Sequence, residues 1–349
     1  MEIVRPCSRA NSICVLSDSR HDLTRASIDV LFSCNVITIF ARQVGDFYRG
    51  VVDVFTRADT NKLLLNPSFA GLNKNTNVHT GLFFMSESKE NLNNDYYFTY
   101  DTFSEKLKGG VGFYFYQGLN GSRNINTAGL GFTYSKILAT GSAKSFIPSF
   151  NLNYKIAAKH WFAQAFRLLS PTGTELFRYS IVLPRAGFLW DSPNRQFGLS
   201  IAYSIHIDHI EISEEEEPPQ KNFPEIIFYF SELIGGKQKG LASKPYELAP
   251  EVVVLYSGNT FLTRAGLQVK SVKYNYGLFL QNNYSSNIHG AGGVFGWNFS
   301  RFKLNLATGS AFHFSTEKIA FFGEISLALK LPYTHFDQKK PWATPKKFF

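Results

Sequence analysis

Nowhere do apolar residues run unbroken for the ~18 positions that a membrane-spanning helix needs, which excludes a helical membrane protein. Cysteine is confined to Cys7, Cys14 and Cys34, whose spacing matches no metal-ligand pattern. Charge is sparse, with Asp, Glu, Lys and Arg together only 18% of residues. A soluble β-sandwich carries Lys and Glu on its water-facing wall, so this scarcity argues against one. The net charge of +9 is scattered, and its densest patch is the tail Lys339, Lys340, Lys346 and Lys347. That is a solvated tail, and no nucleic-acid surface is read from it. Catalytic signatures are missing too. Gly118–Ser122 (GLNGS) lacks the Lys-Ser/Thr of a phosphate loop, and the chain has neither a nucleophile elbow nor a zinc signature.

What the chain has in excess is aromatic residues, 16% of the total with 34 Phe and 17 Tyr. They sit in segments that alternate between large apolar and small or polar residues. In Asn126–Lys136, Ala128, Leu130, Phe132 and Tyr134 alternate with Thr127, Gly129, Gly131, Thr133 and Ser135. Phe146–Lys155 and Phe197–Asp208 repeat the pattern. A strand sends successive side chains to opposite faces, so each segment has one oily and one hydrophilic wall. Lipid outside, a hydrated lumen inside and no free edge in hydrocarbon are what a transmembrane β-barrel requires. The expected fold is all-β, an antiparallel up-and-down barrel. Roughly 260 residues at about 18–20 per strand and connection give about 14 strands. The expected location is the outer membrane, with its lipid as the first partner.

The chain divides into four expected parts. Residues 1–41 are a leader with an over-extended start, in which Ile28–Phe40 is an apolar stretch of h-region length; its removal leaves no cysteine. Residues 42–76 are an N-terminal periplasmic segment, 77–333 the barrel, and 334–349 a polar tail. Turn-rich connections include Pro171–Thr174, Asp191–Asn194 and Ser285–Gly290. Gly290-Ala291-Gly292-Gly293 reads as a glycine kink entering a strand.

Three groups invite a chemical reading. The run Glu214–Glu217 reads as a solvated loop tip. His206 and Asp208 share a strand face while His209 points away, too few ligands for a metal. An outer-membrane hydrolase needs a Ser-His-Asp/Asn set on the outer rim, and His160 and His313 are the only strand-borne histidines with Ser nearby. No catalytic, cofactor or metal residue is assigned.

Leu65–Gly71 (LNPSFAG) is very similar to the LNPAYAG-type motif that opens the PorP/SprF proteins of the Bacteroidetes outer membrane. Tyr96–Thr102 resembles the family's "SYD" element, Lys108–Gln117 its GGLG strand, Ala186–Ile205 its "GL…LGLSV" hairpin and Leu248–Tyr256 its "L.PS" strand. Gly81-Leu82-Phe83-Phe84 departs from the expected Arg-x-x-Trp, and the chain runs past its last strand. The resemblance implies a non-enzymatic barrel of the type IX secretion and gliding-motility apparatus. Its partners would be a secreted surface protein or adhesin and other components of that machinery. The motif residues Asn66, Pro67, Phe69 and Gly71 are read two ways, as a strand-initiating turn with Phe69 anchored at the periplasmic mouth, and as a docking epitope. A transport channel for small or hydrophobic solutes, or an outer-membrane lipase, is the alternative function.

Overall fold

The computed structural model describes residues 61–72, 74–86, 92–120, 125–139, 143–159, 178–210, 224–235, 246–257, 260–285, 287–314 and 317–331, together with Arg5–Pro6 and Ile13–Cys14. The chain falls into two compact units, Met1–Phe47 and Tyr48–Phe349. In the first, Arg5–Pro6 pairs antiparallel with Ile13–Cys14. The leader stretch Ile28–Phe40, His160, Glu214–Glu217 and the tail 334–349 lie outside the described residues.

The second unit is a closed barrel of 14 antiparallel strands. They are β1 (Thr76–Ser86), β2 (Leu92–Ser104), β3 (Gly109–Asn120), β4 (Ile125–Lys136), β5 (Ser145–Lys159), β6 (Arg178–Asp191) and β7 (Arg195–Tyr203, continued by Ile205–Ile210). The second half comprises β8 (Pro224–Glu232, continued by Ile234–Gly235), β9 (Tyr246–Ser257), β10 (Thr260–Ser271), β11 (Tyr274–Asn283), β12 (Ile288–Asn298), β13 (Phe302–His313) and β14 (Lys318–Leu331). Each strand pairs with the next, and β14 returns to β1 in the register Phe321↔Ser86 to Leu331↔Thr76. Closure leaves no edge of unpaired N–H and C=O groups, the condition for crossing hydrocarbon with strands.

The alternation sets the two faces as expected. Leu130 (39% exposed), Phe132, Ile201 and Tyr203 lie on the outer wall, while Gly129, Gly131 and Ser200 are buried on the inner one. Aromatic rings band the outside near both rims. At one rim Tyr274, Trp297, Phe299 and Phe302 form a chain of contacts, with centroids 6.1, 4.7 and 4.0 Å apart in turn. At the other, Tyr284 stacks on Phe261 at 5.5 Å and Phe314 meets His289 at 5.0 Å. Paired girdles of this kind mark the two interfaces of an outer-membrane barrel. The two longest connections, 160–177 and 211–223, share the rim opposite the one where β1 begins and β14 ends. Long loops belong on the cell exterior, so Thr76 and Leu331 stand at the periplasmic rim.

Two local expectations change. The segment Phe197–Asp208 is broken at Ser204, and its ladder with β6 slips between His206 and Asp208. A bulge thus interrupts the ladder at the place where the sequence reading puts His206 and Asp208. Gly290–Gly293 is no kink at a strand entrance but lies inside β12. There Gly292 sits opposite Phe279, whose ring lies 2.4 Å from where a Cβ would stand.

That pairing recurs along the inner wall. Gly81 faces Tyr97, Gly129 faces Tyr116, Gly131 faces Tyr114 and Gly309 faces Phe322 across the ladder. In each case a ring atom lies within 2.2–2.4 Å of the glycine's absent Cβ. Large rings thus lie flat over neighbouring glycines and fill lumen at the level of the wall.

Leu130→Arg, a charge on the lipid face, is expected to cost about 2–4 kcal/mol of stability near mid-membrane. Gly131→Ala carries no lipid penalty but must displace the Tyr114 ring. Urea unfolding in lipid vesicles measures both; equal stability of Leu130→Arg and wild type would contradict the outward placement.

Candidate functional site

The site is built from the segment that precedes the first strand. Its backbone makes two consecutive 3-10 turns, Lys62–Leu64 and Pro67–Phe69. Asn66 is extended (φ −146, ψ 121), as the steric demand of Pro67 on its predecessor requires. The Asn66 side chain caps the second turn by accepting from the Ser68 N–H at 2.9 Å. Gly71 ends the segment at φ +62, the left-handed region open to glycine.

This segment lies inside the barrel as a plug. Leu65, Asn66, Ser68 and Ala70 are at most 1% exposed, and Phe69 is 8% exposed. Each polar group on it meets a strand of the inner wall. Asn66 Nδ2 donates to the carbonyls of Phe188 (3.0 Å) on β6 and Leu199 (3.2 Å) on β7. Ser68 Oγ lies 2.7 Å from Ser149 Oγ on β5. Ser135 on β4 donates to the Ala70 carbonyl at 2.8 Å, and the Gly71 N–H donates to Asp101 on β2 at 2.9 Å. Asp101 also accepts from Asn77 of β1 at 2.9 Å, tying plug, first strand and second strand together. Arg185 donates to the carbonyls of Leu64 (3.2 Å) and Leu65 (3.3 Å) and pairs with Glu225. Ser200 donates to Leu65 O at 3.1 Å, and Asn61 to Thr99 at 2.8 Å.

Close approach demands space in the wall, and glycine provides it. A Cβ on Gly110 would stand 1.9 Å from Ala70 O, and one on Gly71 2.6 Å from Gly110 Cα. Gly187 and Gly198 cradle the Asn66 amide, with prospective Cβ contacts of 2.6 and 2.9 Å.

At its inner end the plug meets a charged belt. Lys62 Nζ donates to the Tyr229 hydroxyl, lies 3.8 Å from Glu251 and sits 4.8 Å from the Tyr229 ring centroid. Tyr229 donates to Glu251 at 3.2 Å, and Arg264 Nη1 holds the other Glu251 oxygen at 2.9 Å. Arg264 is 2% exposed, with its guanidinium 4.4 Å from the Phe279 ring centroid. On β2 and β14, Tyr97 donates to Glu324 at 2.7 Å. Phe69 meets Tyr229 edge-on at 5.3 Å, which joins the apolar part of the plug to the same belt. Burial lowers the pKa of Lys62 on the plug, and Glu251 and Asp191 act to raise it.

Asn66, Pro67, Phe69 and Gly71 are brought together inside the lumen, with Phe69 turned onto Tyr229. Sequence reasoning missed Lys62, Asp101, Arg185, Tyr229, Glu251 and Arg264. A signal existed, because Glu251 and Arg264 are charges at inner-face positions of strands otherwise poor in charge. Of the histidines considered for hydrolysis, His313 ends β13 at the exterior rim and is 7% exposed on the inner face. No group of three or more potential metal ligands occurs among the described residues.

Asn66→Ala removes three hydrogen bonds and should loosen the plug by about 2–3 kcal/mol at roughly 1 kcal/mol each. Gly110→Ala should do the same by steric exclusion. Hydrogen exchange of residues 61–72 in detergent reads both; full protection in either variant would contradict the plug's anchoring.

Functionally curated proteins give no match to this sequence. Solved structures with similar backbones include the monoaromatic hydrocarbon channel CymD, at 10% identity and TM-score 0.48, covering 81% of this chain and 94% of that one. The Pseudomonas putida toluene transporter TodX is similar at 12% identity and TM-score 0.46, with 78% and 94% covered. The Acinetobacter baumannii outer membrane protein Omp33 follows at 8% identity and TM-score 0.42, with 74% and 98% covered. The family model of the type IX secretion system membrane protein PorP/SprF matches residues 52–329. That span takes in the plug and thirteen complete strands, ending in β14. This outer-membrane barrel belongs to the PorP/SprF family of type IX secretion system membrane proteins.

Proposed function

We propose that this chain is a non-enzymatic barrel whose plugged lumen serves as a scaffold for delivering or retaining a secreted surface protein, of the adhesin or gliding type, in type IX secretion. The family points to that secretion route and to contacts with its other components. The observation that carries the finer reading is the occupied lumen. Residues 61–72 are bonded to β2 and to β4 through β7, and Lys62 ties them to the belt on β8 and β9. A barrel meant to pass solutes by diffusion leaves its interior wet and unobstructed, whereas this one spends its inner-face polar groups on its own plug. The motif residues Asn66, Pro67, Phe69 and Gly71 act here in assembly; any docking on them requires the plug to leave its seat.

Two measurements test the reading. In planar bilayers the purified protein should give no wide, stable conductance. Deleting the gene should remove one protein from the cell surface and leave general outer-membrane permeability intact. A deletion strain that displays every surface protein normally but fails to take up a solute would overturn the proposal in favour of transport. Changing Pro67 and Phe69 together should weaken delivery; heat-modifiable gel mobility must first show whether the barrel still assembles.

A further inference from the structure

The periplasmic half of the lumen is lined unequally. The plug's hydrogen bonds and packing fall on β2 to β8, with Lys62 reaching Glu251 on β9. On the remaining wall, three lysines stand one residue inside the periplasmic ends of their strands: Lys270 on β10, Lys303 on β13 and Lys330 on β14. Their ladder partners Asn275 (3% exposed), Ala328 (9%) and Asn77 (8%) are buried inner-face residues, so the lysines face inward too. All three are half-buried, and the exposed Lys273 and Arg301 extend the basic surface onto the rim turns.

These charges act on one another. Lys270 lies close enough to feel Lys62 and Lys303, and Lys303 to feel Lys62 and Lys330. Among the described residues the anions within reach are Glu247 and Glu251, and Glu251 is already held by Arg264 and Tyr229. Neither Lys270 nor Lys303 has a hydrogen bond or ion pair to any described residue. Gathering ammonium groups in a confined lumen is repulsive unless a counter-charge is supplied.

We propose that this wall is a docking surface for an extended acidic segment of a partner protein that enters the barrel mouth from the periplasm. From β10 to β13 is three strand spacings, roughly 14 Å of wall. That is wider than a single phosphate group and close to the length of four extended residues. Successive carboxylates along a strand-like peptide would meet Lys270 and Lys303 in turn. The inference concerns what the mouth binds, and it stands or falls separately from the delivery role above.

The test uses the full-length protein in detergent micelles and a fluorescein-labelled deca-glutamate peptide, read by fluorescence anisotropy. Saturable binding that weakens steeply as salt is raised is expected. The pair K270Q/K303Q should lower affinity by about tenfold or more, the order expected for losing two charge-assisted contacts. K318Q, exposed at the opposite rim, should leave it unchanged. Heat-modifiable mobility checks assembly. If the pair does not assemble, K270Q and K303Q singly serve, each weakening binding about threefold. Absence of binding to the wild type, or binding that the variants leave intact, overturns the proposal. So does binding of tripolyphosphate or lipopolysaccharide at this wall with none of the peptide.

Discussion

A closed sheet of 14 strands encloses more space than its own wall can fill. Eight strands give an interior that side chains just occupy, and sixteen or more leave an aqueous channel. This barrel lies between those cases, and much of its inner architecture answers that excess. On one side the chain lays residues 61–72 against the wall, with Leu63, Leu65 and Phe69 buried at 6%, 0% and 8% exposure. Each such burial is worth about 1.5–3 kcal/mol. On the other side rings and long polar chains reach inward, among them Phe83, Tyr97, Phe322 and Arg264, each buried to 2% exposure or less. The glycines of the inner wall are the counterpart of this filling, since each gives up its own side-chain volume to a ring or to the plug.

Filling a lumen with backbone brings a second requirement. The plug has no regular sheet or long helix to satisfy its own polar groups, so the wall must supply partners at fixed places. That explains why elements far apart in sequence converge on it. Asn66 needs carbonyls from two adjacent strands, Gly71 needs the Asp101 carboxylate, and Ala70 needs the Ser135 hydroxyl. The charged belt follows the same logic with greater stakes. Removing one partner of a buried ion pair leaves a bare charge, so Glu251, Arg264, Tyr229 and Lys62 form one unit.

Much of this was legible in the sequence, for a definite reason. Period-two alternation is local, so Leu130, Phe132, Ile201 and Tyr203 declared the lipid face, and strand length with chain length gave the strand number. LNPSFAG was legible as a motif and as a turn. Its place inside the lumen was not, because nothing in residues 65–71 records which wall they touch. The contacts that seat it join residues far apart in sequence, such as Lys62 and Tyr229, 167 positions apart. Likewise Gly110, Gly187 and Gly198 looked like ordinary strand glycines, and only the plug explains them. The pattern also did not announce the bulge beyond Ser204 that shifts the ladder of β7.

The seating of the plug is best tested by a covalent link across it. Ser68 and Ser149 bring their hydroxyl oxygens within 2.7 Å across the lumen. With Cys7, Cys14 and Cys34 replaced by serine, the pair S68C/S149C should form a disulfide in native outer membranes. The product would be a faster band on a non-reducing gel. Pairing S68C with T308C, on the outer wall, should give none. If S68C and S149C stay reduced under oxidant while both react with a water-soluble maleimide, residues 61–72 do not occupy the lumen, and the account of a plugged barrel is wrong.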